Sequence, residues 1–473
     1  MTPKPKVNVL EATWITPSTP TPPSKARTPL SDWDTVMFNS YTPLLFFYIN
    51  KSKDPAFMNT YQLKKSLSDV LTDYYPLAGR LVDIGNGRDE ISNTDAGVLF
   101  QEAEYLDQLE KYRPSGYLPN QLDYHRMFPI HFYSSPQDPL LAVQITRFQD
   151  GGVALGVMML HKIADTYSLS LFLDAWAKKS RGQAYPYVCF SRNIIGFDEQ
   201  NTNITEDAFK HYQDEHRLLT EDLYQDIEMD PQQHRYARTS RNGPEPLKSI
   251  VLEFFAGGLY QCRKDAHSND SATEIKKSVT SKEALLSMLY RAIARSRNVD
   301  PDTNIRMTTS VNGRSIMVER KGIDAYFGNL MVSRTITIKK SEVEDISLGQ
   351  TAMRLHNSIS QVDTRLLHGI SKLYTLHGDM TVNYLTCQPN SEKQATASDA
   401  SALPFWRLNF GHGAPDRTRG YITFGGNGCL IIFGRGDRTE GPMYDVQVQM
   451  DTESMRRFID DPDIKKYANS ILF

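Results

Sequence analysis

Val153-Ala154-Leu155-Gly156-Val157-Met158-Met159-Leu160-His161-Lys162-Ile163-Ala164-Asp165 is the stretch that decides how this chain is read. The apolar run to Leu160, bounded upstream by Asp150-Gly151-Gly152, reads as a buried strand. Ser168 to Lys179 reads as a helix, with Leu169, Phe172, Leu173 and Trp176 at helical spacing. His161 thus falls at a strand end, where a rigid element aims a side chain into a cavity. Asp165 follows four residues later, at the turn into the helix. A neutral imidazole is the side chain best matched to taking a proton near neutral pH. A nearby carboxylate or a rigid turn fixes its ring and tautomer. The alternative is a buried histidine satisfied by a backbone carbonyl, with Asp165 as a helix cap. Spacing alone leaves both open.

Working outward, Leu140 to Phe148 and Val153 to Leu160 form a hairpin around Asp150-Gly151-Gly152. Further upstream, Val7 to Thr16 alternates like a strand and Pro17 to Pro29 is a connector. Leu44 to Ile49 and Gly97 to Glu102 read as strands, and Met58 to Asp73 as a helix. In Tyr75-Pro76-Leu77-Ala78-Gly79-Arg80-Leu81, Pro76 restricts Tyr75 and Gly79 allows a turn into a strand. Downstream, Gly182 to Leu247 is polar with mixed charge and carries His211 and His216, which reads as a solvated crossover.

The second half opens with a strand, Ser249 to Phe255, and a short helix near Leu259 to Asp265. Thr280-Ser281-Lys282-Glu283 is a capping box opening a helix to Ser296. Asn304 to Val311 and Met331 to Ile338 read as strands, and Val343 to Val362 as one long helix. Met380 to Cys387 reads as a strand and Pro389 to Ala402 as a small, polar, mobile loop. Gly420 to Phe433 reads as two strands joined in a hairpin at Gly425-Gly426-Asn427-Gly428. Tyr444 to Met450 is a last strand, and Met455 to Ile459 begins a terminal helix. The expected organisation is two α+β domains, 1–181 and 248–473, joined by the linker 182–247.

The 473 residues suffice for two or three domains, with 40% apolar and 23% charged residues. A net charge of −3 leaves no basic excess for nucleic acid. No apolar stretch reaches membrane-spanning length, and Met1-Thr2-Pro3-Lys4-Pro5-Lys6 leads into a strand without a secretory h-region. Cys189, Cys262, Cys387 and Cys429 are far apart and form neither a metal motif nor a disulfide framework, so the expectation is a reduced, cytoplasmic protein. The sequence holds no phosphate-binding P-loop, no strand-linked GxGxxG, no GxSxG elbow and no HExxH. His412, between two glycines, either lines a cavity or is an ordinary turn residue.

Read together, these landmarks resemble the BAHD family of acyl-CoA-dependent acyltransferases. His161 to Asp165 matches its HxxxD motif, and Tyr75 to Arg80 its YPLAGR segment. Val311-Asn312-Gly313-Arg314-Ser315 and Tyr326-Phe327-Gly328-Asn329 match two further signatures. Asn409-Phe410-Gly411-His412-Gly413 stands where the family has DFGWG, with Asn for Asp and His for Trp. The Pro-Thr-Pro-Pro connector and Leu44-Leu45-Phe46-Phe47-Tyr48 look most like the vinorine-synthase-like branch, which acts on alkaloid and terpenoid alcohols.

The resemblance implies two chloramphenicol-acetyltransferase-like α/β domains with a channel between them. It implies His161 as general base, no acyl-enzyme, no metal, and acyl-CoA (acetyl-CoA foremost) as co-substrate. Asp165 and Arg314 would pair to hold the His161 loop, with Asn409, Gly411 and Gly413 as structural support. Arg291 would meet CoA phosphates, and His412 would lie by the substrate channel. A cytoplasmic monomer acting on a small-molecule acceptor is expected. The departures at Asn409 and His412 keep open a relative that binds a ligand or partner without transferring acyl groups.

Overall fold

The computed structural model describes residues 7–37, 39–85, 87–132, 134–135, 137–196, 247–268, 279–377, 392–422, 427–436, 441 and 443–473. In the first half, β1 (Val7–Ile15), β2 (Arg27–Pro29), α1 (Asp32–Thr35), β3 (Tyr41–Tyr48) and α2 (Thr60–Leu71) come first. They are followed by β4 (Arg80–Gly85), β5 (Arg88–Ser92), β6 (Val98–Tyr105), β7 (Leu141–Phe148), β8 (Val153–Leu160) and α3 (Thr166–Ser180). The second half runs β9 (Lys248–Phe254), α4 (Ala256–Ser268), α5 (Ser281–Ser296), β10 (Asn304–Asn312), β11 (Met331–Lys339), α6 (Leu348–Ser360) and α7 (Thr364–His377). It continues with β12 (Gln394–Ala400), β13 (Arg417–Gly420), β14 (Cys429–Gly434), β15 (Tyr444–Met450), α8 (Thr452–Ile459), α9 (Pro462–Tyr467) and β16 (Ser470–Leu472).

One sheet has the order β1-β6-β7-β8-β3-β13 and a second the order β11-β10-β12-β14-β15-β9-β16; β2, β5 and β4 form a small third sheet. The β7–β8 hairpin pairs Leu141 with Met159 and Arg147 with Val153, as the sequence pattern predicts. β8 is buried along its whole length, which explains a continuous apolar run where a half-exposed strand would alternate. α3 lays Leu169, Phe172, Leu173 and Trp176 into the core of the first sheet. β10, β12 and β14 run parallel, and α5 is buried along almost its whole length in the core of this half.

Several expectations are corrected. Part of the supposed mobile loop 389–402 is β12, the strand between β10 and β14. Its sequence, Gln-Ala-Thr-Ala-Ser-Asp-Ala, lacks large apolar residues, so nothing in the composition marks a strand. The hairpin expected around 425–428, whose residues 425 and 426 lie outside the described residues, is not formed by the strands on either side. β13 pairs with β3 in the first sheet, while β14 pairs with β12 and β15 in the second. The long helix 343–362 is shorter: a capping box at Ser347 and Gln350 starts α6 at Leu348. The strand expected at Met380–Cys387, most of the 182–247 crossover, and His211 and His216 lie outside the described residues.

β13 also bears on the domain division. The segment from Phe405 to Gly420 packs with the first half: Phe405, Leu408 and Phe410 belong to the first sheet's core. Among the described helices, none is long and apolar enough to cross a membrane.

Candidate active site

The ladder between β3 and β8 does not stop at Leu160. The amide of His161 donates to the carbonyl of Ser40 at 2.8 Å, so His161 is held as if it were one more strand residue. The chain then turns, and the amide of Ala164 donates to the His161 carbonyl at 3.3 Å. Asp165 is the N-cap of α3: its Oδ1 accepts the Ser168 amide at 2.9 Å. The capping alternative read from the sequence is therefore present, and it accounts for only part of what Asp165 does.

Asp165 is 1% exposed and meets Arg314, which is 3% exposed. Arg314 Nη1 lies 2.8 Å from Asp165 Oδ2, and Nη2 3.3 Å from Oδ1. The Leu330 amide also donates to Asp165 Oδ2, at 3.0 Å. Arg314 further donates to Ser168 Oγ and to the carbonyls of Tyr326 and Gly328, and lies over the ring of Tyr167. A buried ion pair is stable only when its remaining lone pairs and protons are satisfied, and here they are. This carboxylate makes no contact with the His161 ring. The imidazole has no hydrogen-bond partner among the described residues, and its Nδ1 is buried.

A second constellation, which the sequence reading missed, holds the same turn. Asp34 is 0% exposed. Its Oδ2 accepts the Ser31 amide and hydroxyl at 2.9 and 2.8 Å and Arg192 Nε at 2.9 Å. Its Oδ1 accepts the Asn329 amide at 2.8 Å and Asn329 Nδ2 at 2.9 Å. Asn329 Nδ2 also donates to the His161 carbonyl at 2.9 Å and the Lys162 carbonyl at 3.3 Å, and Arg192 Nη2 to the Ile163 carbonyl at 3.3 Å. Burial alone would lower the Arg192 pKa, but the Asp34 charge outweighs it and holds the guanidinium above its ordinary value. The available signal was Ser31-Asp32-Trp33-Asp34, a capping-box pattern with Asp at its fourth position. Lys162 turns the other way, onto Asp89 at 2.7 Å.

The remaining expected residues lie elsewhere. Asn409 Oδ1 accepts the amides of Gly411 and Gly413 at 2.8 and 3.0 Å. Those glycines have φ of +108° and +93°, a region that side chains disfavour. Asn does here what a carboxylate would do, without charge and with no arginine among its described partners. His412 sets its ring edge-on to Phe57, 5.1 Å between centroids. That contact packs His412 on the first half.

Arg291 lies on α5. It is 8% exposed, donates to the Ile346 carbonyl, and borders a cavity of about 350 Å³. Asp265, Glu344, Asp345 and Asp463 line that cavity against Arg291 and Lys466.

Residues 5–464 match the model of the Transferase family. Shikimate O-hydroxycinnamoyltransferase of Nicotiana tabacum is 26% identical over 425 residues, covering 87% of this chain and 89% of that protein. Stemmadenine O-acetyltransferase of Catharanthus roseus is 36% identical over 180 residues, covering 36% of this chain and 41% of that protein. The crystal structure of vinorine synthase superposes with a TM-score of 0.67 at 20% identity, covering 98% of this chain and 99% of that one.

Proposed function

This chain belongs to the BAHD family of acyl-CoA-dependent acyltransferases, and from that premise we propose that it moves an acetyl group from acetyl-CoA to a hydroxyl of an alkaloid or terpenoid, with His161 as general base. The observation that carries the reading is the placement of His161. Its backbone amide is fixed by Ser40 and its carbonyl by Asn329 and Ala164, while its ring is left without a partner among the described residues. A base must be held still and kept available.

The acceptor O–H gives its proton to the imidazole as its oxygen attacks the thioester carbonyl carbon. The carbonyl electrons move onto oxygen, and a hydrogen-bond donor steadies the tetrahedral oxyanion. Collapse breaks the C–S bond, the imidazolium returns the proton to the CoA thiolate, and an ester and free CoA leave. Asp165 takes no proton in this scheme. It is committed to Arg314, and its role is to fix the turn that carries His161. We place the halves at 1–181 and 248–473, with β13 lent by the second to the first.

The acetyl assignment is supported by the identity shared with an O-acetyltransferase, over part of the chain. The longer match to a hydroxycinnamoyltransferase favours a second reading, an aromatic acyl donor. Free thiols at Cys189, Cys262 and Cys429 support a cytoplasmic setting, and a monomer is the state expected by light scattering.

Thiol release decides among these readings. Acetyl-, malonyl- and hydroxycinnamoyl-CoA are each offered with pooled alkaloid and terpenoid alcohols, alongside His161→Ala. Acceptor-dependent release with acetyl-CoA, lost in the variant, is the expected result. Release with hydroxycinnamoyl-CoA alone selects the second reading. No turnover together with no CoA binding by calorimetry overturns both, in favour of a relative that has given up acyl transfer.

A further inference from the structure

A histidine base works only if its proton sits on the ring nitrogen that does not react. What holds it there in His161 is not Asp165, which is occupied by Arg314, Leu330 and Ser168. The Nδ1 atom of His161 is buried without a partner among the described residues, and so is a second polar atom, Oγ1 of Thr42. Buried polar groups are nearly always paired, so two orphans on adjacent strands ask for an explanation.

Strand register brings the two together. Thr42 stands directly opposite Met159 in the antiparallel β3–β8 pair. The ladder extends one further step, through the His161 amide and the Ser40 carbonyl. Side chains two apart along a strand share a face, so His161 lies on the face of Met159, and Thr42 lies there too. Diagonal neighbours of this kind have Cβ atoms ~7 Å apart or a little less, a gap that an imidazole and a hydroxyl span between them. Tyr41, next to Thr42, belongs to the other face, with its hydroxyl on the Pro139 carbonyl at 2.6 Å.

Among the described residues, the charged groups packed around the turn supply no competitor. Asp165 is paired with Arg314, Asp34 with Arg192, and Lys162 with Asp89.

We infer that Thr42 is the positioning residue of His161: its hydroxyl accepts the Nδ1 proton and leaves Nε2 as the free base. The inference rests on the reading of His161 as the base. The proton on Nδ1 stays in place throughout, while Nε2 gains the acceptor's proton and passes it to the thiolate. Bonds of this class are often long in a free enzyme and tighten when substrates close the site. The hydroxyl also favours the protonated ring, because a charged donor makes the stronger bond.

The test uses Thr42→Val, which keeps the branched shape and removes the hydroxyl, and Thr42→Ser, which keeps the hydroxyl. Thr42→Val is expected to lower kcat about tenfold, the size of one ordinary hydrogen bond. The KM for acyl-CoA stays unchanged, and the acidic limb of the kcat/KM profile moves to lower pH. Thr42→Ser recovers both, with melting temperatures alike in all three proteins. Nitrogen-15 shifts of His161 in the free enzyme read the tautomer directly: Nδ1–H in wild type and Thr42→Ser, a mixture in Thr42→Val.

A Thr42→Val enzyme with wild-type kcat, profile and tautomer overturns the inference. So does a loss confined to the acceptor KM, which would make Thr42 a substrate contact, and so does a Thr42→Ser enzyme no better than Thr42→Val. His161→Ala, run alongside, separates the two ideas. If it stays active, the base itself is misassigned; if it is dead while Thr42→Val is normal, only the positioning role falls.

Discussion

At the His161 turn each buried aspartate meets a single arginine; at the crossing strand β13 one buried aspartate meets three. Asp165 takes its bonds from Arg314 and from two backbone amides whose directions the fold fixes. Asp445 on β15 takes its bonds from Arg419 at 2.7 Å and Arg435 at 3.2 Å, with Arg417 Nε 3.6 Å away. Arg419 also donates to the Gly116 carbonyl at 2.9 Å, and Asp416 holds Arg113 at 3.1 Å, so this cluster ties the second sheet to the first. Both are buried acid–arginine clasps between sheets. One is directional, and its purpose is the geometry of a loop. The other is a pool of charge, and its purpose is cohesion. The difference teaches that an ion pair's role is read from its other bonds and not from the pair.

Breaking the reaction itself should have the largest effect. His161→Ala is expected to cut turnover by roughly 10²–10⁴-fold with no change in melting temperature, by thiol release and calorimetry. The clasps come next, since removing one partner of a buried pair costs about 3–5 kcal/mol. Asp165→Ala and Asp445→Ala should lose similar stability in urea. Only Asp165→Ala should also lower kcat per folded molecule. Equal losses of kcat in both variants would erase the distinction drawn above.

Acid sharpens it. Burial alone would raise the Asp445 pKa, but Arg419, Arg435 and Arg417 together hold the carboxyl below its ordinary range. A depressed carboxyl contributes stability that is fully present above the unfolded value of about 3.9 and is lost as pH falls through the folded value. Asp445→Asn should therefore be less stable at neutral pH and flatter below about pH 4, converging on the wild type in strong acid, by urea unfolding at a series of pH values. The smallest effect is expected at Asn409→Asp. A carboxylate would accept the same two glycine amides more strongly, for a gain of about 1 kcal/mol or less and no change in kcat.

Much of the site was legible because its parts are local or follow a familiar order. The apolar run of β8, the cap at Asp165 and the helix after it are each decided within a few residues of sequence. The Asp165–Arg314 pairing followed from resemblance, since nothing local connects residues 149 apart. Asn329 was read as part of a signature, but its bond to Asp34 was not legible for the same reason: their partnership spans 295 residues, and Asp34 sits in a stretch with no apolar period. β12 was missed because its one threonine is outnumbered by alanine, serine and aspartate, which carry no strand signature, and close neighbours supply the burial. The crossing at β13 was missed because Gly-Gly-Asn-Gly reports a turn and says nothing about which sheet each flanking strand will join.

That crossing has a consequence for how the molecule is made. β3 is an interior strand only once residues 417–420 arrive, more than half the chain after β8 has left the ribosome. At ~5–20 residues per second, the backbone edge of Tyr-Thr-Pro-Leu-Leu-Phe-Phe-Tyr waits roughly ten to fifty seconds for its neighbour. An apolar strand with an open edge is the kind that pairs with the wrong partner. Nascent chains on one message carry that edge together, so the interval before strand 417–420 emerges is when this protein most needs a chaperone.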